Sequence, residues 1–159
     1  MLLFLKNLLF TVLVPATVAF YMPFIIWRGR PSANGIAALP AVIVFAIGAA
    51  IYFWCLWDFA TFGRGTPAPI DPPRRLVVRG LYRYVRNPMY LGVLAMILGW
   101  VLCVPVWDLA AYGIGVAAVF HLWVVVYEEP TLRRKFGAEY DEYTARVGRW
   151  LPRVGRFRG

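Results

Sequence analysis

Two neighbouring carboxylates, Glu128 and Glu129, stand at the end of a long apolar segment, where a charge is costly unless it has a partner. A second set of basic, polar and aromatic residues precedes another apolar segment: Arg79, Tyr82, Arg83, Tyr84, Arg86, Asn87 and Tyr90. Carboxylates bind an ammonium group or ribose hydroxyls, whereas arginines and a helix N-terminus bind a carboxylate. Together the two sets predict a site for a ligand that carries both charges.

Each of these residues also has a structural interpretation. Glu128 and Glu129 can end the apolar segment and pair with arginines, for which Arg86 is the natural partner. Asn87 can act as a helix cap. His121, the single histidine, precedes Glu128 by seven residues and so lies two turns away on nearly the same helical face. It is a functional candidate, but a neutral histidine that joins two helices by a hydrogen bond is the favoured interpretation.

Other classes of catalytic site lack their residues in this sequence. No nucleophile is assembled with a base and an orienting group, and no phosphate-binding loop or metal-ligand cluster is visible. Cys55 and Cys103 lie within apolar segments and are expected to pack as small apolar side chains. We therefore predict neither a hydrolase nor a metal site, and we regard the catalytic residues as unknown, with Arg86, Asn87 and His121 as candidates.

The apolar composition determines where these residues can lie. Of the 159 residues, 61% are hydrophobic and 16% are charged. The charges leave four uncharged stretches, at residues 7–27, 31–57, 87–107 and 109–127. Because about 20 apolar residues in a helix span the hydrocarbon core, each stretch is a credible transmembrane helix. The first is longer than the apolar part of a secretory signal, which is about 7 to 15 residues, so we expect it to stay uncleaved.

The distribution of basic residues predicts the orientation in the membrane. The chain has 17 Lys and Arg against 8 Asp and Glu, a formal net charge of +9, and 14 of the 17 lie in residues 64–86 or after residue 128. The positive-inside rule places those regions and both termini in the cytoplasm. Arg28 and Arg30 disagree, since their loop would then face outward. With four apolar stretches present, the basic charge indicates a membrane partner and not nucleic acid.

Local patterns predict how the elements begin, end and pack. Asn87-Pro88 is typical of a helix start, and Asp108 is placed to cap the fourth helix, so the third and fourth helices should form a tight hairpin. Small residues recur at helical spacing on the fourth helix and predict close packing. They are Ala111, Gly115 and Ala118.

After the acidic pair the sequence becomes amphipathic. Leu132, Phe136, Tyr140 and Tyr143 share one face, and charged residues occupy the other. This pattern predicts one helix at the membrane surface, with Trp150 as an interfacial anchor. The predicted fold is therefore all-α and integral to the membrane. Residues 1–60 form two transmembrane helices, and residues 61–159 comprise an irregular cytoplasmic loop, a transmembrane hairpin and the amphipathic C-terminal helix.

Three motifs in this second part resemble the isoprenylcysteine carboxyl methyltransferase family, which is similar to the phospholipid N-methyltransferases. They are GLYRYVRNPMYLG at residues 80–92, the Glu128-Glu129 pair, and FGAEYDEY at residues 136–143. The resemblance runs from about Arg74 to Pro152, half of the chain. It implies a methyltransferase of the EC 2.1.1 type in a bacterial inner membrane, with S-adenosylmethionine as cofactor and a lipid-like or small hydrophobic acceptor entering from the bilayer. No metal and no nucleic acid are implied.

Position by position, the resemblance also implies a set of cofactor-binding residues in the loop, at the start of the third helix and at the acidic pair. They are Arg74, Arg75, Leu76, Val77, Tyr82, Asn87, Pro88, Met89, Tyr90, Glu128 and Glu129.

Two departures from the prenylcysteine enzymes bear on the acceptor. Those enzymes have His where this chain has Asn87, a change shared with the phospholipid branch and many bacterial relatives. They also have a substrate-associated Arg where this chain has Val124, which favours an amine, thiol or hydroxyl acceptor over a prenylcysteine carboxylate. Two alternatives remain open: an inactive lipid-binding protein of the same fold, and a sterol-reductase-like membrane enzyme that uses NADPH.

Overall fold

The structure, a computed structural model, describes residues 9, 11, 13–63 and 75–153. Arg74 and residues 64–73 of the Gly- and Pro-rich loop lie outside the described residues. Within the described part the chain is helical and has no β-strand, apart from one isolated bridge between Val85 and Gly148. The all-α prediction is confirmed.

The described helices are connected by short segments, and several contain a turn of π-helix. In chain order they are α1 (a π-helical turn at Thr17–Tyr21 continued by Met22–Trp27), α2 (Leu39–Asp58, flanked by Gly35–Ala38 and Phe59–Gly63), α3 (Pro88–Cys103), α4 (Trp107–Trp123, extended by a π-helical turn at Val124–Glu128), α5 (Glu129–Phe136) and α6 (Ala138–Arg146). A 3₁₀ turn at Gly80–Arg83 precedes α3.

Two helical runs are long and apolar enough to cross a membrane, Gly35–Phe62 and Trp107–Phe136, with 28 and 30 residues. A core helix of a soluble protein would be mostly buried, whereas only 17% and 11% of their most apolar windows are buried. Large side chains such as Trp57 and Val126 are instead about 70% exposed, as lipid-facing residues are. Thr17–Trp27 and Pro88–Cys103 are shorter apolar helices, so the count of four spans stays a prediction.

Helices α2 and α3 approach each other closely at glycines, of which Gly48 and Gly92 face one another. A Cβ at Gly48 would lie 2.6 Å from the Gly92 carbonyl oxygen, and a Cβ at Gly92 would lie 2.8 Å from that of Gly48. The predicted packing of the stripe on α4 is wrong within the described part of the chain, because Ala111 and Ala118 are exposed there and a Cβ at Gly115 would meet no atom of another element within 4 Å. Helical spacing identifies a face of small residues but not the helix that covers it.

Two side chains attach α1 to the hairpin inside the apolar region. Pro23 has no N–H, so it leaves Ala19 O without its α-helical donor and Val18 O without its π-helical one. Trp100 Nε1 donates to Ala19 O at 3.1 Å, and Tyr112 Oη donates to Val18 O at 2.8 Å. An unsatisfied carbonyl is expensive in lipid, so this exchange explains how the proline is tolerated.

The predicted hairpin is confirmed in its main features. Helix α3 begins at Pro88 with Asn87 at the N-cap position, and residues 104–106 alone connect it to α4. The predicted cap at Asp108 is wrong: Val106 occupies the cap position and makes no side-chain bond. Asp108 lies within the first turn of α4 instead, where its carboxylate pairs with Arg30 at 2.6 Å.

The amphipathic region contains two helices, not the single one predicted. Helix α5 continues α4 directly, and the chain then bends at Gly137, whose φ of +52° suits glycine. The apolar face expected to lie on the membrane is buried against the chain itself. Tyr140, Tyr143 and Val147 form a cluster there, covered partly by Leu76 of the preceding loop. The period of the pattern was sufficient to find this face, but not its partner.

Candidate functional site

The start of α3 and the end of the long α4 helical run meet at one contact. Tyr90 lies in the first turn of α3 and donates from its hydroxyl to Glu128 Oε2 at 2.8 Å. Its ring packs against Phe120 of α4, with centroids 4.7 Å apart. The structure therefore brings together the Asn87–Tyr90 turn and the acidic pair, the two motifs that the sequence analysis placed on opposite sides of one site.

Glu129 lies between two guanidinium groups. Arg86 Nη1 is 3.1 Å from Glu129 Oε1, and Arg149 donates to both carboxylate oxygens at 2.7 and 2.9 Å. The predicted pairing of Arg86 with the acidic pair is confirmed. The side chains of Arg86 and Glu129 are only 10% and 12% exposed, and the carboxylate of Glu129 raises the pKa of Arg149. Neighbouring residues Glu128 and Glu129 thus have different partners, because successive helical residues point about 100° apart.

Residues 147–151, which we name the C-terminal strap, cross the start of α3. Arg86 N donates to Gly148 O at 2.9 Å, and Asn87 Nδ2 donates to Arg149 O at 3.2 Å. Asn87 therefore makes no capping bond with its side chain, contrary to the structural interpretation given above. The strap bond uses the donor Nδ2 of the Asn87 amide, whereas capping would use its oxygen to accept from the N–H of the second or third helical residue.

The strap also carries an indole into the site. Trp150 Nε1 donates to His121 Nδ1 at 3.1 Å, and the Trp150 ring lies edge-on to Tyr90, with centroids 6.4 Å apart. Trp150, expected as an interfacial anchor, thus makes its hydrogen bond within the protein. Among the residues that the structure describes, His121 joins its helix to the strap and not to a second helix.

A second group of the predicted cofactor residues surrounds Tyr82. Tyr143 Oη donates to Tyr82 O at 2.7 Å, and Val77 packs on the Tyr82 side chain. Burial raises the pKa of Tyr82 and of Tyr143, and raises that of Tyr140 to about 12. These three tyrosines therefore keep their protons near neutral pH, and Tyr143 uses its proton in the bond to Tyr82 O.

A cavity of about 680 Å³ lies beside this second group. Its walls are formed by Phe62, Leu76, Val77, Val78, Arg79, Gly80, Arg83, Glu139 and Glu142. Leu76 and Val77 of the predicted set therefore border a cavity, whereas Asn87, Tyr90 and the acidic pair border the strap. This volume is within the range of ligand pockets, about 300 to 1,000 Å³.

The remaining predicted residues are distributed around these two groups. Pro88 is fully buried, and Met89 packs partly buried against Tyr82 and its neighbours. Arg75 is exposed, and Arg74 lies outside the described residues. Of the three catalytic candidates, Arg86 and Asn87 contact the strap through their own atoms, and His121 contacts it through Trp150.

The sequence analysis did not assign Gly148 or Arg149 to the site. The one available signal was the extent of the family resemblance, which continued to residue 152 although its motifs ended at residue 143. The sequence analysis also did not single out Asp58 as a buried charged residue. It is buried at the end of α2, 3.9 Å from Arg79 Nε, and one carboxylate oxygen has no hydrogen-bond partner among the described residues.

Comparison with known proteins identifies relatives of this chain. Two are similar to it over 89 residues at 36% identity: the probable protein-S-isoprenylcysteine O-methyltransferases of Oryza sativa subsp. indica and subsp. japonica. The alignments cover 52% of this chain and 43% of each relative, so the chain matches less than half of their length. No solved structure matches the chain.

These relatives confirm the resemblance to the isoprenylcysteine methyltransferases, and their names indicate a methyltransferase. The family model described as phospholipid methyltransferase matches residues 36–139. That range contains α2, α3, α4 and the acidic pair, and it covers more than half of the chain. The protein therefore belongs to the phospholipid methyltransferase family.

Proposed function

We propose that the protein transfers a methyl group from S-adenosylmethionine to a lipid-like or small hydrophobic acceptor at the cytoplasmic face of the membrane. Family membership supports the reaction class. The observation that carries the location is the contact of Tyr90 with Glu128, which joins the two motifs within a helical run long enough to cross a membrane. Neither an inactive lipid-binding protein nor an NADPH-dependent reductase is favoured by the family match.

The residues present fit a zwitterionic sulfonium cofactor. Nε of Arg83 and Nε of Arg86 are buried and have no hydrogen-bond partner among the described residues, so a ligand carboxylate would satisfy them. Glu128 offers a carboxylate to an ammonium group or to ribose hydroxyls. The aromatic faces of Tyr90 and Trp150 would stabilise a sulfonium charge by cation–π contact.

Bound S-adenosylmethionine supplies an electrophilic methyl group, which leaves orientation and the exclusion of water to the protein. The strap covers the start of α3, and Tyr90 fixes the position of Glu128. Tyr82 and Tyr140 are unsuited to deprotonate an acceptor, since burial raises the pKa of both. No covalent protein intermediate is required, which agrees with the absence of an assembled nucleophile in the sequence.

An amine, thiol or hydroxyl acceptor fits this chain better than a prenylcysteine carboxylate. Val124 stands where the prenylcysteine enzymes have a substrate-associated arginine, and its side chain is 1% exposed. A buried aliphatic side chain offers no charge to a carboxylate. Entry of the acceptor from the bilayer would also keep water away from the reacting centre.

Cofactor binding is tested by calorimetry of the purified full chain in detergent. We expect S-adenosylmethionine and its demethylated product to bind with micromolar dissociation constants, which correspond to binding free energies of about 8 kcal/mol. NADPH is expected not to bind. Glu128→Gln should weaken binding by about 1.5 to 3 kcal/mol, because a charge-assisted hydrogen bond is lost. Asp141→Asn, which alters an exposed pair with Arg133, is the matched control and should leave binding unchanged. No binding of either compound at millimolar concentration would contradict the proposal.

The acceptor class is tested by incubating membranes that contain the protein with radiolabelled S-adenosylmethionine. Label should appear in organic-extractable or volatile material, because the acceptor is expected to be hydrophobic. Label found only in water-soluble products would exclude a lipid-like acceptor, although not methyl transfer itself.

We further propose that the loop before α3 and the C-terminal helices face the cytoplasm, since 14 of the 17 basic residues lie there. Single cysteines at Arg75 and Arg134, both exposed, should resist an impermeant thiol reagent in intact cells when Cys55 and Cys103 are replaced. A cysteine at exposed Pro105, at the other end of α3, is the control and should be labelled. Labelling at positions 75 and 134 but not at position 105 would show that the protein has the opposite orientation in the membrane.

A further inference from the structure

His121 is a polar side chain exposed at a depth where lipid is expected. It lies 14 residues after Trp107, the first residue of α4, and therefore about 21 Å along the helix at 1.5 Å per residue. Glu128 lies about 10 Å further on by the same measure. His121 thus falls within a hydrocarbon core about 30 Å thick, and its side chain is exposed at the protein surface.

The hydrogen bond from Trp150 determines the protonation state that His121 presents. An indole N–H only donates, so His121 Nδ1, 3.1 Å from Trp150 Nε1, must be the acceptor and carries no proton. The imidazole is therefore neutral and carries its proton on Nε2. This second nitrogen has no hydrogen-bond partner in the part of the chain that the structure describes.

The same indole connects His121 to the proposed methyl-transfer site. The Trp150 ring lies near both His121 and Tyr90, with centroids 6.3 and 6.4 Å away, and Tyr90 donates a hydrogen bond to Glu128. A histidine needed only to hold the strap would use one nitrogen and leave an N–H unpaired in hydrocarbon. Such an unpaired donor is unfavourable by several kcal/mol.

We propose that His121 is a specificity-determining residue that donates from Nε2 to a carbonyl oxygen of the lipid-like acceptor. This inference rests on the proposed function and adds a chemical requirement to it. The acceptor carries an ester or amide oxygen about 10 Å deeper in the bilayer than the atom that receives the methyl group. Trp150 is a positioning residue, because it holds the tautomer in which Nε2 is the donor.

The kinetic test uses two lipids that differ only in their two ester carbonyl oxygens, dioleoyl phosphatidylethanolamine and its diether analogue, with the full chain in detergent. His121→Phe also removes the bond to Trp150, which acts on both lipids alike, so the ratio of the two acceptor KM values reports the Nε2 contact. His121→Phe should raise the acceptor KM about tenfold more for the ester lipid than for the ether lipid. Leu122→Phe, at an exposed neighbour, is the matched control and should leave this ratio unchanged. A ratio within twofold of the wild-type ratio would overturn the inference.

A spectroscopic test separates this inference from the proposed function. The chain has one histidine, so ¹⁵N-histidine labelling of an untagged protein gives the two nitrogens of His121 alone. We expect an unprotonated Nδ1 and a protonated Nε2 in the wild type, and mixed tautomers in Trp150→Phe. The ester lipid should shift the Nε2 signal and the ether lipid should not. If neither lipid is methylated, the proposed function fails for this lipid class. The spectrum then decides for His121, and an equal shift or no shift with both lipids overturns the inference.

Discussion

The two ends of the helical bundle are both held by arginine and carboxylate groups, but in different surroundings. Between the α1–α2 loop and α4, Arg30 and Asp108 are 2.6 Å apart, with side chains 40% and 60% exposed. At the site end, Glu129 lies between Arg86 and Arg149 at slightly longer distances, and its side chain is 12% exposed. Distance alone would rank the first pair as the stronger contact.

Burial reverses that ranking. An exposed ion pair contributes about 0 to 1 kcal/mol, because water screens it and two long side chains must be ordered. Removing one partner of a buried pair costs about 3 to 5 kcal/mol, because the other charge is left without compensation. The network around Glu129 therefore holds the strap to α3 and α5, while the Arg30–Asp108 pair adds little. Charge pairs in this protein therefore contribute most to stability where they are buried at the site.

The largest effect on stability and cofactor binding is expected from Glu129→Gln. Two guanidinium groups would lose their counter-charge, so we expect a loss of about 3 kcal/mol in unfolding free energy and weaker cofactor binding. Thermal unfolding in detergent and calorimetry measure the two effects. Asp141→Asn removes a carboxylate from an exposed pair and should change stability by no more than about 0.5 kcal/mol. Equal changes in unfolding free energy for the two variants would contradict the view that burial strengthens the network around Glu129.

A smaller effect is expected from Gly148→Ala, which leaves every charge in place. A Cβ at this position would overlap the Leu151 carbonyl oxygen, so the strap must change its shape at the residues that accept hydrogen bonds from Arg86 and Asn87. We expect a loss of about 1 to 3 kcal/mol, faster proteolysis of the C-terminus and weaker cofactor binding. Gly115→Ala is the matched control, because nothing lies within 4 Å of that Cβ. A strap that resisted proteolysis as in the wild type would contradict this account of the site.

The features that the sequence predicted correctly depend on local chemistry. The start of α3 follows from Asn87-Pro88, because a proline favours the first position of a helix. The pairing of Arg86 with the acidic pair follows from the hairpin, which brings the beginning of α3 next to the end of the helical run that starts with α4. Each inference needed only the neighbours along the chain and one short connection.

The features that the sequence did not predict depend on the path of the strap. Nothing near Arg149 or Trp150 in the sequence indicates that the chain returns from α6 to α3, a separation of about 60 residues. The same limit explains the Asn87 side chain, which binds a strap carbonyl and not its own helix. It also explains the exposed stripe at Ala111, Gly115 and Ala118, since a face of small residues does not reveal its partner.

The smallest effect is expected from Asp108→Asn, which removes a charge from the close ion pair at the end of the bundle away from the site. That end keeps the bond from Ala33 N to Cys103 O at 2.8 Å, and the amide oxygen of the variant side chain would still accept a hydrogen bond from Arg30. We therefore expect a change of less than about 0.5 kcal/mol in unfolding free energy, and no change in cofactor affinity. Unfolding at low and high salt measures the electrostatic part, which should disappear at high salt because an exposed pair is screened. A loss of about 2 kcal/mol or more would show that lipid or loop residues remove water from this pair, and the contrast with Glu129 would then rest on geometry and not on burial.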